Sequence, residues 1–181
     1  MNDISPNILS DVREIAKKGN YDGAIAALDK IDKSKIPNPL VNILYSRYIQ
    51  LSETGQGREL DDVHKLLVEA VETDNESLRP HIELAFFHSA IQDDEVSASK
   101  EFLTALNIIK DSLSECIEGI LQMDPYRFHE TWKDIEALLD TIKGISGNAI
   151  EQMDAVHKEK SERHRNGTNE ESPPEADAKS E

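Results

Sequence analysis

Gly19-Asn20-Tyr21-Asp22-Gly23-Ala24-Ile25, followed by Leu28 and Ile31, is the stretch on which the fold turns. Just upstream, Ile8, Leu9, Val12, Ile15 and Ala16 recur at helical spacing and share one face. Ser5-Pro6 opens that helix, because Ser can cap it and Pro at the first position has no N–H to waste. Lys17 and Lys18 place cations at the negative end of the helix, and Gly19 can turn left-handed. A second helix begins after Asn20, carries Tyr21, Ala24, Ile25, Leu28 and Ile31, and is stopped by Pro37. So short a connection forces the two helices into an antiparallel hairpin.

Working outward, the same pattern returns twice. Asn38-Pro39 opens a helix with Leu40, Ile43, Leu44, Tyr48 and Leu51, ending near Gly55. Its partner carries Leu60, Val63, Leu66, Leu67, Ala70 and Val71. Near Arg79-Pro80 a third pair starts, with Ile82, Ala85, Phe86 and Ser89 expected to face inward. Asp93 marks its turn, and Ala98, Phe102, Ala105, Leu106 and Ile109 line the returning helix.

The spacings turn three hairpins into a repeat. Ala24 to Ala98, Leu28 to Phe102 and Ile31 to Ala105 are each 74 residues apart. The middle unit supplies Val63, Leu67 and Ala70, offset by 39 and then 35 residues. The uneven split predicts about three extra residues in its turn, at Gly55-Gln56-Gly57. Two helices per period of this length predict a stacked array in which each hairpin buries one face on its neighbour.

Beyond residue 110 the period is lost. Leu113, Ile117, Ile120 and Leu121 continue an amphipathic helix to Asp124-Pro125. A longer one follows with Phe128, Trp132, Ile135, Leu138, Leu139 and Ile142, is punctuated by Gly144 and Gly147, and ends in a polar helix with Ile150, Met153 and Val156. Residues 111–160 are expected to form capping helices packed on the repeats of residues 1–110, since a terminal repeat must be covered. Residues 161–181 contain no Leu, Ile, Val, Phe, Tyr or Trp and are expected to be a disordered acidic tail.

The Gly19–Ile25 stretch with Leu28 and Ile31 resembles the second half of a tetratricopeptide repeat, which pairs a Gly-x-Tyr-x-x-Ala-Ile turn with a large and then a small residue. Ala98, Phe102 and Ala105 sit where that family has Ala, an aromatic and Ala. The likeness covers roughly residues 7–110. It lacks the family's Trp-x-x-Leu-Gly-x-x-Tyr first helix, has Tyr48 in place of a Gly, and has Ile31 in place of a small residue. It implies an all-α superhelix of about three helical hairpins whose first helices line a concave groove. Arg13, Lys17, Arg47, Phe87 and Ile91 are the groove residues it implies. The Lys and Asn set that clamps a C-terminal carboxylate in chaperone-binding members is not visible.

Charge narrows the partner class. The chain holds 36 acidic against 20 basic residues, a net charge of −16. Such a surface repels nucleic-acid backbones, whose binding needs Lys and Arg, and equally an anionic membrane. A basic or amphipathic protein segment is the partner that this field attracts. Met1 to Ser10 shows no basic flank before an apolar run, no stretch is apolar for long enough to span a bilayer, and there is one cysteine, Cys116. These features point to a reducing, cytoplasmic setting.

Nothing in the pattern carries chemistry. No Gly-x-Ser-x-Gly elbow, phosphate-cradling loop or Cys-His signature is present. His81 and His88 lie two turns apart, too far to share an ion unaided. Asp61-x-x-His64 and Asp154-x-x-His157 match the spacing of di-metal bundles but lack the further inward carboxylates such sites need. The expectation is a protein-binding module, an adaptor or chaperone-like scaffold, with no catalytic residue, metal or cofactor. An acidic neutraliser of the immunity or antitoxin type, acting on a basic protein, stays open beside it. So does a structural homo-oligomer, with a homodimer as the simplest case.

Overall fold

The computed structural model describes residues 6–31, 38–122 and 129–167. Ser5, Pro37 and the acidic stretch from Thr168 onward lie outside them. Among the described residues every regular element is helical, so the protein is all-α. The elements are α1 (Pro6–Lys17), α2 (Tyr21–Leu28), α3 (Pro39–Leu51), α4 (Leu60–Thr73), α5 (Leu78–Ala90), α6 (Glu95–Leu121) and α7 (His129–Gly167). The chain divides into two compact units, residues 1–121 and 122–181.

The caps act where the sequence places them. The side chain of Asn20 accepts from the Gly23 N–H at 2.9 Å, and that of Asn38 from the Leu40 N–H at 2.9 Å. Gly19 has φ +77, a left-handed turn that closes α1. Asp93 also has positive φ, and the next residue, Asp94, starts α6 by accepting from the Ser97 N–H at 2.9 Å.

In the first unit each helix packs on its successor, from α1 against α2 through to α5 against α6, and α3 also touches α5. The core follows the repeat. Ala24, Val63 and Ala98 are all buried, as are Leu28 and Leu67. Ala70 and Ala105 are buried too, while Ile31 in the same series, and Phe102 in the series of Leu28 and Leu67, are half-buried. Small residues at these positions let helices approach closely. Fully burying a Leu or Ile contributes about 1.5–3 kcal/mol.

α3 runs through the middle of this unit. Eight of its 13 residues are buried, Asn42 and Ser46 among them. Ser46 donates its hydroxyl to the Ile43 carbonyl at 2.9 Å, and Asn42 donates to Glu69 on α4 at 3.2 Å. The Tyr45 hydroxyl donates to Asp29, which also takes Arg58 at 2.8 and 2.9 Å, and the Arg58 guanidinium lies 5.0 Å from the centre of the Tyr45 ring.

The extra residues of the middle turn lock hairpins together. Gly55, Gln56 and Gly57 all take positive φ, of +55, +51 and +74. This left-handed turn brings Gln56 to donate to the Asp22 carbonyl at 2.9 Å. The Asp22 carboxylate accepts from Ser52 at 2.5 Å and from Thr54 at 3.0 Å. The turn thus ties α3 to the start of α2.

α6 runs unbroken to Leu121 along the amphipathic stretch read in the sequence; it holds no Pro, and its single Gly, Gly119, costs about 1 kcal/mol without breaking a helix. Two expectations change. α7 runs through Gly144 and Gly147 and continues to Gly167, inside the segment expected to be a tail. Near its end Arg163 pairs with Glu159 one turn earlier at 2.5 Å. On α5, the stripe Ile82, Ala85, Phe86, Ser89 is not the buried one. Pro80, Leu84 and Phe87 are buried with His81 and Ala85. α5 packs on both α4 and α6, so its buried sector is wider than one stripe.

Two outcomes test this description. Gly57 has open space around it, so Gly57→Ala incurs only the left-handed backbone cost. Denaturant unfolding should show about 1–2 kcal/mol lost; no loss would mean the turn is not held in this conformation. Burial, and after it the hydrogen bond and charge of Asp29, pushes the Tyr45 hydroxyl far above its ordinary value of 10.0, with Arg58 opposing. An unfolded chain releases that proton near pH 10, so the stabilisation is complete below pH 10 and drains away above it. Tyr45→Phe should cost about 1 kcal/mol at neutral pH, and melting curves should show the gap to the natural protein closing above about pH 10. A gap that stays constant with pH would contradict this environment for the hydroxyl.

Candidate functional site

α1 turns Val12 and Ala16 into the core, which leaves Arg13 and Lys17 outside. Lys17 pairs with Glu14 at 2.6 Å within the same helix. On α3, Arg47 lies at the edge of the buried sector and reaches Glu83 of α5 at 2.5 Å. Glu83 is mostly covered and also takes Arg79, one turn earlier on α5, at 2.6 Å. One carboxylate thus holds two guanidiniums and joins α3 to α5.

Arg13 and Arg47 act on the same group. Burial pushes the pKa of the Tyr48 hydroxyl up, and the charges of Arg13 and Arg47 oppose that rise. Tyr48 packs against Tyr21 with ring centres 6.1 Å apart. The first helices therefore bring Arg13, Arg47 and Arg79 along one side of the unit. It is a cationic strip on a chain whose net charge is −16.

Phe87 cannot belong to an open groove. It is only 3 % exposed and stacks on His64 of α4 with ring centres 5.8 Å apart. Phe86 is the exposed member of the pair, at 58 %, and meets Phe102 of α6 edge to face at 5.3 Å. Adjacent helical residues point about 100° apart, so one is buried and the other is left out. The signal was present in the sequence: Pro80, Leu84 and Phe87 form one row, while Arg79, Glu83 and Phe86 form the next. Ile91 is exposed, but it sits past the end of α5 as its cap residue. Of the five residues expected to line a groove, Arg13 and Arg47 lie near Tyr48, Lys17 lies one turn from Arg13, Ile91 is exposed past the end of α5, and Phe87 is buried while its neighbour Phe86 is exposed.

Three of the histidines, His64, His81 and His88, make structural contacts. His81 is buried, with Nδ1 2.7 Å from Glu101 and Nε2 3.0 Å from the Asn75 carbonyl. The carbonyl requires Nε2 to donate. His81 thereby fastens α5 to α6 and to the preceding loop. His64 and His88 rings meet edge to face at 5.4 Å, and His88 bonds Gln92 at 2.7 Å. Among the described residues no group of three or more His, Cys, Asp or Glu side chains is placed to hold a metal ion. No described helix is long and apolar enough to cross a membrane.

No protein-family model matches the chain, and no curated protein matches its sequence.

Proposed function

We propose that this chain is a non-catalytic protein-binding scaffold of the tetratricopeptide type. Its first helices, α1, α3 and α5, hold an amphipathic segment of a partner protein, and the setting is a reducing, cytoplasmic one. The observation that carries this reading is Phe86, a large apolar ring left 58 % exposed beside the Arg47–Glu83–Arg79 cluster. Aromatic and Arg side chains dominate the energetics of protein interfaces. Covering the rest of Phe86 would contribute about 1–2 kcal/mol, part of the 1.5–3 kcal/mol for a fully buried ring. Arg13, Lys17 and Arg79 supply donors for carboxylates on the bound segment. The ion pairs pre-position Arg47 and Arg79, which lowers the ordering cost of binding.

The net charge of −16 favours a second reading, in which a basic protein is recognised and neutralised by the acidic remainder of the surface. Long-range steering of a basic partner and local recognition of an amphipathic segment are compatible in one complex.

The test is affinity capture from the native cell lysate with the natural chain, Phe86→Ala and Arg79→Glu in parallel. A stoichiometric partner should be retained by the natural chain and bound at least 10-fold more weakly by Phe86→Ala, with unfolding midpoints little changed because the ring is exposed. A partner retained equally by both variants would place binding on another surface, and its loss only at raised salt would favour the acidic neutraliser.

A further inference from the structure

α6 carries a second stripe, turned away from α5. Val96, Ser99, Leu103, Leu106 and Lys110 follow one another at alternating steps of three and four residues. They lie about a third of a turn round the helix from Ala98 and Ala105, which are buried where α6 packs on α5. Val96 is 64 % exposed and Leu103 and Leu106 are each 60 % exposed, with Ile109 also exposed at the border. The spacing is the a/d alternation of a helix–helix seam. The Ser99 hydroxyl is already donated to the Val96 carbonyl at 2.8 Å, so it can enter such a seam without leaving an unsatisfied donor. Charge sets the stripe apart as well. The chain has 36 carboxylate side chains in 181 residues, about one in every five, yet residues 96–110 hold a single one. It belongs to Glu101 and is engaged by His81 at 2.7 Å.

We propose that α6 packs antiparallel against α6 of a second copy of this chain, about a two-fold axis between Leu103 and Leu106. Each Leu103 then faces Leu106 of the second copy, and each Ser99 faces the aliphatic stem of Lys110. The ends of the stripe select both the occupant and the direction. α6 begins at Glu95, and the stripe ends at Lys110, whose side chain is 66 % exposed beside Asp111. Antiparallel self-pairing brings the ammonium of each Lys110 toward Glu95 of the second copy. Parallel pairing would set lysine against lysine and glutamate against glutamate. Two chains of net charge −16 repel each other, and on this stripe they can meet without setting carboxylate against carboxylate. Leu103, Leu106 and Ile109 with the lysine stems supply roughly half of the ~800 Å² per partner that a standard interface buries, so the dimer is weak and readily reversible. Arg13, Arg47, Arg79 and Phe86 are not in the seam, so the pairing goes beyond the partner-binding reading and stands without it.

The experiment is sedimentation equilibrium of the full chain at concentrations up to about 1 mM, the range that a small interface requires. The expected species at the top of the range has about twice the 20.3 kDa chain mass. Leu106→Asp should raise the dissociation constant about 50-fold or more, with the unfolding transition retained because the side chain is exposed. Lys110→Glu and Glu95→Lys should each weaken pairing about 5-fold, and the two together should restore the natural dissociation constant to within about 2-fold. A natural chain that stays monomeric throughout would overturn the proposal in favour of a different protein on this stripe. A Leu106→Asp chain that dimerises as well as the natural one would overturn it too. Double charge reversal that fails to restore pairing would overturn the antiparallel arrangement.

Discussion

Most of the first unit depends on one constraint: α3 is covered on nearly every side. A helix in that position must present apolar side chains to several neighbours at once, and any polar group it buries must be partnered. Asn42, Tyr45 and Ser46 meet that demand through Glu69, Asp29 and the helix's own carbonyl. The first two of these bonds tie α3 to α4 and to the residue that caps α2, and the Arg47–Glu83 pair ties it to α5. The left-handed turn after α3 extends the same logic by satisfying the backbone and carboxylate of Asp22. The hairpins are therefore joined by directional bonds as well as by apolar contact.

Much of this architecture was legible, and the reason is local. Asn20, Asn38 and Gly19 act within three residues of themselves, so their roles can be recognised without knowing the fold. The series Ala24, Val63, Ala98 was legible because close helix approach recurs at each hairpin and demands a smaller residue each time. Contacts between residues about 30 apart were not. Nothing in the chain announces that Asp22 meets Ser52 or that Arg58 meets Asp29. The face of α5 was misjudged for a related reason. His81 is polar and looks like a surface residue, yet it is buried because Glu101 and Asn75 satisfy it. Once it is counted as interior, the buried sector rotates and Phe86 and Phe87 exchange places.

The candidate face shows how net charge can mislead about a local surface. A chain with 36 acidic and 20 basic residues reads as a magnet for cations. Yet Arg13, Arg47 and Arg79 gather along the first helices, where Glu83 alone holds two of them. Coulomb attraction at a few ångströms outweighs a distant excess of the opposite sign, since salt screens the latter within about 10 Å. Steering and recognition can therefore carry opposite signs on one molecule.

The unequal lengths of α5 and α6 have a mechanical consequence. α5 spans 13 residues and α6 spans 27, so once the His81–Glu101 and Phe86–Phe102 contacts fix their register, the later half of α6 projects past its partner. Fourteen unmatched residues make a rod of about 21 Å, at 1.5 Å per residue. A tilt of about 10° at its root would sweep the tip by roughly 4 Å, which is most of a helical turn.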